Sequence, residues 1–178
     1  MKTILITGGS GYLGTLLVAK LIKKNYKIIN LDPILYFSSS TYQKRHKNIR
    51  NFIGVTEDKY ILNEIFNNNK IYAVIHLSGV SNDPTAVLDP VLTDRSNILA
   101  TKLLVEKAKK NNVKKFLFAS SCSVYGFTGE KKIVNEYSKL NPLSEYSKSK
   151  VKGEKIVLKE RNKDFIVNCL RMGTLYGP

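Results

Sequence analysis

The feature that most constrains the fold is an apolar run that breaks into closely spaced glycines, Ile4-Leu5-Ile6-Thr7-Gly8-Gly9-Ser10-Gly11-Tyr12-Leu13-Gly14. Apolar residues at helical spacing continue beyond it, at Leu13, Leu16, Leu17 and Leu21. The stretch therefore predicts a strand, a tight turn and a helix. Glycine lets the backbone take positive φ and approach a ligand closely, and the N-terminus of a helix offers N–H groups and a positive dipole end to an anion. A pyrophosphate group fits such a turn.

Two sets of these glycines match the spacing of a dinucleotide-binding turn, Gly9/Gly11/Gly14 and Gly8/Gly11/Gly14. A plain strand-to-helix turn also uses glycine and is the alternative. A second apolar run, residues 28–31, ends in Asp32, about twenty residues after the glycines, where a carboxylate can bind the ribose hydroxyls. Because no arginine directly follows Asp32 to meet a 2′-phosphate, NAD is predicted rather than NADP. A solvated turn aspartate before Pro33 is the other interpretation of this residue.

Strand-like and helix-like stretches alternate along the rest of the chain. The predicted strands are residues 51–54, 72–77, 115–119 and 165–170, the predicted helices are residues 59–68, 91–110 and 144–160, and residues 34–50 are predicted as a loop or short helix. This alternation predicts an α/β fold, a doubly wound parallel sheet of the Rossmann type with helices on both faces. Ligands of such sheets bind beyond the carboxyl ends of the strands, so the loops after Leu77, Ala119 and Leu170 are of most interest.

Length and charge narrow the class further. The 178 residues suit one domain with a sizeable core, and 43% hydrophobic residues is ordinary for a globular protein. The net charge of +15 raises the question of nucleic acid, but the basic residues are mainly lysines scattered along helix faces. We interpret them as a solvated surface. A nucleic-acid-binding protein is an alternative that only the charge favours, because the chain has no arginine cluster and no pattern of stacking aromatics.

Neither a targeting sequence nor a metal site is expected. The N-terminus begins directly with a strand-like run, and no apolar run approaches the length of a membrane span. Cys122 and Cys169 are typical of reduced thiols in a cytoplasm, and they have no metal-ligand spacing to His46 or His76. We expect a cytoplasmic protein that binds no membrane.

Acid–base chemistry is suggested by Tyr146-Ser147-Lys148-Ser149-Lys150, at the start of a predicted helix. Spacing of four places Tyr146 and Lys150 one turn apart on one face. A nearby ammonium would lower the pKa of the phenol and prepare it for proton transfer. Ser121 follows the strand of residues 115–119, at the edge where a hydroxyl can donate to a substrate oxygen. Tyrosine and lysine one turn apart also occur on ordinary surface helices, which is the alternative.

Together, the Gly8/Gly11/Gly14 turn, the Ser121 segment and Tyr146-x-x-x-Lys150 resemble the extended short-chain dehydrogenase/reductase family, which includes NAD-dependent sugar-nucleotide epimerases and dehydratases. The resemblance extends to His76-Leu77-Ser78-Gly79, Asn97-x-x-x-Thr101 and Arg171 through Tyr176-Gly177-Pro178. It implies that Tyr146 is the acid/base, Lys150 binds the nicotinamide ribose and lowers the tyrosine pKa, and Ser121 polarises the substrate carbonyl. The cofactor contacts that it implies are Gly8, Gly11, Tyr12, Leu13, Gly14, Asp32, Leu77, Ser78, Gly79, Asn97, Tyr146 and Lys150. The family's chemistry is hydride transfer between a sugar carbon and the nicotinamide, through a transient 4-keto sugar.

Two departures from the family pattern affect the expected reaction. Sugar 4,6-dehydratases have an Asp-Glu pair directly after the active hydroxyl, whereas this chain has Cys122 and Ser123. We therefore expect 4-epimerisation or ketone reduction, as in UDP-glucose 4-epimerase-like enzymes, rather than dehydration. Cys122 is expected to be a buried, inert thiol, with a role as a base as the alternative. Val55 stands where relatives have an Asp for the adenine amino group, which puts adenine affinity in doubt.

Members of the family are longer than this chain, and their remaining part supplies the last strands and a small substrate-binding lobe. Residues 1–178 are therefore expected to form the incomplete cofactor-binding domain, which binds NAD with little or no turnover by itself. A non-catalytic NAD-binding sensor is the alternative from another functional class. The resemblance also implies a homodimer formed through the helices of residues 91–110 and 144–160. It identifies neither the nucleotide sugar nor the direction of the reaction.

Overall fold

The computed structural model describes residues 1–35, 46–129 and 133–177. Its six strands form one sheet and are β1 (Thr3–Thr7), β2 (Lys27–Asp32), β3 (Ile49–Ile53), β4 (Ile71–His76), β5 (Lys115–Ser121) and β6 (Ile166–Met172). Their order in the sheet is β3-β2-β1-β4-β5-β6, and each neighbouring pair is parallel. The predicted doubly wound sheet is confirmed. Its strand order reverses between β1 and β4, which is where such sheets bind ligands.

Helices cover both faces of the sheet. They are α1 (Tyr12–Lys23), α2 (Lys59–Asn67), α3 (Asp83–Leu88), α4 (Pro90–Thr93), α5 (Ala100–Lys110) and α6 (Glu145–Lys159). Helix α1 packs on one face through Val18 and Ile22, against Ile4, Ile6 and Ile28. On the other face α2, α5 and α6 bury a larger core, which contains Leu62, Leu104, Val157, Phe116 and Phe118. Because both faces are covered, the central strands are continuously apolar, as the sequence predicts.

The buried face of α1 differs from the predicted one. The fully buried residues of this helix are Gly14, Val18 and Ile22, whereas Leu16 is 49% exposed. A Cβ at Gly14 would lie 2.6 Å from the Cα of Gly9, so this face of the helix lies directly against the glycine turn. The close approach at Gly14 therefore sets the rotation of α1, and the leucines fill its flanks.

The predicted helix of residues 91–110 is interrupted. Helix α4 ends at Thr93, a π-helical segment spans Asp94–Leu99, and α5 begins at Ala100. Asn97 lies in the π-helical segment and is buried, with its side-chain amide bonded to the loop after β4 and to α6. A π-helical turn of this kind is frequent where a side chain must reach a functional partner.

Strand boundaries shift by a few residues from the predicted ones. Strand β3 covers Ile49–Ile53 instead of residues 51–54, so the end of the predicted 34–50 loop is strand. Strand β5 continues to Ser121 and β6 to Met172. The loop or short helix predicted around Ser38-Ser39-Ser40 lies outside the described residues. Within the described part of the chain, no helix is long and apolar enough to cross a membrane.

Candidate functional site

The glycine turn between β1 and α1 is closely packed. Gly8 has φ of +76°, and a Cβ there would lie 2.7 Å from the backbone nitrogen of Ser78. Its N–H donates to the carbonyl of Leu31 at 3.0 Å, which ties the turn to β2. At Gly14 a Cβ would meet the backbone of Gly9. These two glycines are therefore required by close packing of the backbone, independently of any ligand.

Gly11 differs, because its surroundings are less crowded. A Cβ at Gly11 would meet only the Gly8 carbonyl, at 3.3 Å. Gly11 is the N-cap of α1, no side chain caps this end, and the first turn has no acidic residue. By contrast, the N-termini of α2 and α6 are capped by the side chains of Asp58 and Ser144. The N-terminus of α1 is thus left with unused N–H groups, which fits a phosphate at the predicted place.

Asp32 lies at the end of β2 beside this turn and is 7% exposed. Its Oδ2 accepts the N–H of Ser10 at 2.9 Å, and its Oδ1 accepts the N–H of Ile34 at 2.7 Å. The two bonds fix the carboxylate against the glycine turn. Each oxygen has a further lone pair that can accept a ribose hydroxyl.

The loop after β4 forms the other wall of the switch point. Leu77 donates its N–H to the Thr7 carbonyl at 3.0 Å, and the Ser78 hydroxyl donates to Thr7 Oγ1 at 3.0 Å. Thr56 Oγ1 lies 2.9 Å from Ser78 Oγ. Gly79 has φ of +130° and its backbone lies against the Asn97 side chain. The hydroxyls thus hold the loop against β1, with the predicted residues Leu77, Ser78 and Gly79 beside the glycine turn.

His76, the last residue of β4, supports this loop from within the sheet. Its Nδ1 lies 2.7 Å from Thr7 Oγ1, and its Nε2 lies 2.9 Å from Thr101 Oγ1. Burial, with a smaller effect of the Lys150 charge, lowers the pKa of His76 to about 3. The imidazole is neutral at physiological pH and connects the strand to α5 without adding a charge to the core.

Asn97 joins the two halves of the site. Its Oδ1 accepts the N–H of Val80 at 2.7 Å, while its Nδ2 donates to the Val80 carbonyl at 3.0 Å and to Ser149 Oγ at 2.9 Å. The loop after β4 is thereby bonded to α6, the helix that contains Tyr146 and Lys150. These bonds make Asn97 a bridge between protein elements, and its predicted contact with the cofactor stays a prediction.

Ser121 and Tyr146 are brought together at the carboxyl end of β5. The Ser121 hydroxyl acts to lower the pKa of the Tyr146 phenol, as a neighbouring hydrogen-bond donor does. The Ser121 oxygen in turn accepts the N–H of Ser123 at 3.2 Å and the Ser123 hydroxyl at 2.9 Å. Ser123 therefore holds the Ser121 oxygen and leaves the Ser121 proton available for another acceptor.

Lys150 is buried beneath these two residues. Its Nζ donates to the Ala119 carbonyl at 3.0 Å and lies 5.6 Å from the centre of the Tyr146 ring. Burial lowers the pKa of Lys150 to about 8. Lys150 is 5% exposed. Because its ammonium donates to the Ala119 carbonyl in β5, the sheet fixes the position of the charge.

Two expectations for this part of the site are wrong. The pKa of Tyr146 is raised, because burial outweighs the hydrogen bond from Ser121, and Asp83 and Cys122 raise it further. The predicted lowering by Lys150 does not occur, because burial lowers the pKa of Lys150 itself to about 8 and the lysine has lost its charge before the phenol ionises. Cys122 is exposed in the turn that follows β5, not buried as expected.

A group of buried polar residues next to the site was not predicted. Ser120 donates to Glu154 Oε1 at 2.6 Å, and Glu154 forms a two-bond ion pair with Arg171. The sequence holds one clue, because Glu154 lies four residues after Lys150 on the same helical face. The arginine partner depends on the pairing of β6 with β5, which residue spacing does not reveal. Within the described ranges, no group of three His, Cys, Asp or Glu side chains could hold a metal ion.

Comparison with known proteins gives consistent results. The sequence model described as the NAD dependent epimerase/dehydratase family matches residues 4–178. UDP-glucose 4-epimerase of Yersinia pestis is 32% identical over 86% of this chain and 47% of its own length. dTDP-D-glucose 4,6-dehydratase of Dictyostelium discoideum is 33% identical over 100% of the chain and 45% of its own length. The chain therefore spans about half the length of the curated relatives it matches.

Solved structures agree with the sequence matches. UDP-glucose 4-epimerase of Thermotoga maritima, determined with UDP-glucose, superimposes with a TM-score of 0.89 at 29% identity, over 99% of this chain and 57% of that chain. UDP-glucose 4-epimerase of Thermus thermophilus, in complex with NAD, has a TM-score of 0.81 at 26% identity, over 88% of this chain and 50% of that chain. The described fold is thus the fold of about half of each of these enzymes.

Proposed function

The chain belongs to the NAD dependent epimerase/dehydratase family, and from this premise we propose that it binds NAD and contains the acid–base groups for hydride transfer with a nucleotide sugar. The observation that supports this best is the switch point between β1 and β4. An uncapped helix N-terminus, a buried carboxylate and a hydroxyl-bonded loop lie together there. Their chemistry matches the pyrophosphate and ribose of a dinucleotide.

The residues fit the cofactor in two groups. The N–H groups at the start of α1 would bind the pyrophosphate, and Asp32 would accept the adenosine ribose hydroxyls. Lys150 lies at the other end of the site and would donate to the nicotinamide ribose. When bound, NAD supplies the hydride acceptor and donor. Val55 brings no carboxylate to the adenine side, so we expect affinity to come mainly from the ribose and phosphate contacts.

Proton transfer is the task of Tyr146 and Ser121. Once the phenol has released its own proton, the Tyr146 oxygen would accept the proton of the sugar hydroxyl that is oxidised, while bound NAD would supply the hydride acceptor. In the complex the Ser121 hydroxyl would turn from Tyr146 to the same sugar oxygen, and its donation there would stabilise the 4-keto sugar. For epimerisation, Tyr146 would return the proton when the keto group is reduced again. The raised pKa of Tyr146 keeps the phenol protonated until a ligand changes its surroundings.

Epimerisation or reduction is favoured over dehydration. The similarity to a 4,6-dehydratase makes dehydration the second candidate. Elimination of water needs an acid and a base beside the sugar, and the two positions after Ser121 are Cys122 and Ser123. A non-catalytic NAD sensor is less favoured, because Ser121, Tyr146 and Lys150 are all retained and placed together.

A homodimer through α5 and α6 remains a prediction. The exposed face of α6 has four lysines at successive turns, Lys148, Lys152, Lys155 and Lys159. Two copies of this face would repel each other at low ionic strength. We therefore expect dimer formation to strengthen with salt, and sedimentation velocity at low and high salt would measure it.

The cofactor proposal is tested by fluorescence titration with NADH and NADPH. We expect the wild type to bind NADH more tightly than NADPH. Asp32→Ala should weaken NADH binding about tenfold, because it removes charged hydrogen bonds worth about 1.5 kcal/mol or more. The same variant should reduce the preference for NADH over NADPH. Asp58→Ala is the matched control, since Asp58 also accepts backbone N–H groups but caps α2. Absence of binding by either nucleotide, or an equal loss in the control, would contradict the proposal.

The nucleotide-sugar proposal needs a separate readout. We expect the protein to bind UDP-glucose more tightly in the presence of NADH, and Tyr146→Phe to keep this binding while abolishing the small formation of UDP-galactose by the wild type. Isothermal titration and NMR of the sugar anomeric signals measure the two effects. Binding of UDP-glucose that is unaffected by NADH would count against a shared site.

A further inference from the structure

A buried ion pair lies directly beside the candidate catalytic residues. Arg171 Nε donates to Glu154 Oε1 at 2.9 Å, and Nη2 donates to Oε2 at 2.7 Å, so the pair has the two-bond geometry of guanidinium and carboxylate. The glutamate residue is 3% exposed and the arginine side chain 17%. Both charges are therefore largely removed from water.

The pair has further bonds to three other parts of the chain. Ser120 at the end of β5 donates to Glu154 Oε1 at 2.6 Å. Arg171 Nη1 donates to the Tyr125 hydroxyl at 3.0 Å and to the Glu136 carbonyl at 3.2 Å. The guanidinium also lies 5.1 Å from the centre of the Tyr125 ring. One cluster thus connects β5, the turn after β5, the segment before α6, helix α6 and β6.

The position of this cluster relates it to the candidate catalytic groups. Ser120 directly precedes Ser121, and Glu154 lies one turn after Lys150 and two turns after Tyr146. The Ser120–Glu154 bond therefore fixes β5 relative to α6 close to the point where Ser121 meets Tyr146. A hydrogen bond between side chains on two elements depends on that relative placement within a few tenths of an ångström.

We propose that the Glu154–Arg171 pair is the positioning device of this site, which holds β5 against α6 so that the Ser121 hydroxyl donates to the Tyr146 oxygen. The assignment rests on the proposed function, which makes Ser121 and Tyr146 catalytic. Glu154, Arg171 and Ser120 are positioning residues in this assignment. A buried pair of this kind gains little net stability over apolar packing, so its value here lies in the geometry it enforces.

The test is the ionisation of Tyr146 in the protein without ligand. With tyrosine labelled by ¹³C at the ring carbon bonded to oxygen, the Tyr146 signal is the one missing in Tyr146→Phe, and its pH titration gives the pKa of the phenol. In Arg171→Met we expect this pKa to rise by at least about half a pH unit, because the Ser121 bond that lowers it is misaligned. Arg171→Lys keeps the charge but loses the forked geometry, and should give a smaller rise.

Loss of charge and loss of stability are controlled separately. Ser120→Ala changes no charge and leaves the ion pair in place, and it should raise the Tyr146 pKa as Arg171→Met does. If Arg171→Met does not fold, Ser120→Ala replaces it as the test variant. Lys109→Met removes a charge that pairs with Glu160 near the far end of α6 and should have no effect. Val157→Ala destabilises the core through the same helix and should also leave the Tyr146 pKa unchanged. Asp83 and Cys122, the other groups that raise this pKa, are retained throughout.

An unchanged Tyr146 pKa in both Ser120→Ala and the arginine variants would overturn the assignment, and so would an equal rise in Val157→Ala. Because no cofactor is present, this result does not depend on whether the chain binds NADH. Failure of NADH binding would contradict the proposed function alone, and an unchanged Tyr146 pKa would contradict the positioning role alone.

Discussion

The two halves of the candidate site are built in different ways. The half around Gly8–Gly14 consists of backbone, with Gly8 packed against the loop after β4, Gly14 packed against Gly8 and Gly9, and unused N–H groups at the start of α1. The half around Ser121, Tyr146 and Lys150 consists of side chains from β5 and α6, whose protonation depends on burial. Asn97 and the loop after β4 connect the two. In the proposed function, recognition of a phosphate would use fixed backbone geometry, whereas proton transfer would use groups whose pKa values the fold sets.

The largest effect is expected in the backbone half, from Gly14→Ala. A Cβ there meets the Gly9 backbone, so we expect a loss of about 3 kcal/mol in the free energy of unfolding and no detectable NADH binding. The clash exceeds the gain of about 1 kcal/mol from replacing glycine by alanine in a helix. Urea unfolding and NADH fluorescence measure both quantities.

Gly11→Ala is the matched control for that variant. It meets one carbonyl at 3.3 Å, so the loss of stability should be about 1 kcal/mol or less. Equal losses of stability in Gly14→Ala and Gly11→Ala would contradict the difference in packing between these two glycines.

The second effect concerns Lys150 and the pH dependence of stability. Its pKa is about 8 in the folded chain and 10.5 as the ordinary value, so between these pH values the unfolded chain binds more protons. The free energy of unfolding should therefore rise with pH across this window, by up to about 3 kcal/mol, and be lowest below pH 8. The measurement is urea unfolding of the wild type and Lys150→Met from about pH 7 to pH 10. A constant difference between the two proteins would show that Lys150 is not buried as a cation.

A smaller effect is expected from Ser121→Ala in the side-chain half. Removing the hydroxyl removes the bond that lowers the Tyr146 pKa, so this pKa should rise by about one pH unit. Ser123→Ala only removes a donor to Ser121 and should give a smaller rise. The ¹³C titration of Tyr146 distinguishes them, and a larger effect of Ser123→Ala would contradict the assigned direction of these bonds.

The smallest effect is expected at the surface of the same helix. Glu145 and Lys148 form an exposed pair at 2.7 Å, and Glu145→Gln should leave the free energy of unfolding almost unchanged, because solvent and salt screen the pair. Arg171→Met, which breaks the buried pair, should cost about 3 kcal/mol. Similar losses of unfolding free energy in Glu145→Gln and Arg171→Met would contradict the difference between the exposed pair and the buried pair on α6.

The contrast between the two halves also explains what the sequence could predict. The glycine turn, Asp32 and the parallel sheet follow from local spacing and from apolar periodicity, and the structure places them together as expected. The Tyr146 pKa could not be predicted from its spacing to Lys150, because tertiary burial raises the pKa of the phenol and lowers the pKa of Lys150. The π-helical segment at Asn97 and the Glu154–Arg171 pair likewise depend on tertiary contacts.

The most direct test of the account is whether one dinucleotide spans both halves. NADH and ADP are titrated into the wild type, Lys150→Met and the charge-matched surface control Lys148→Met. ADP reaches only the glycine turn and Asp32, so Lys150→Met should weaken NADH about tenfold or more while leaving ADP binding unchanged, and Lys148→Met should change neither. Equal weakening of both ligands by Lys150→Met, or unchanged NADH binding, would contradict a nicotinamide beside Tyr146 and Lys150.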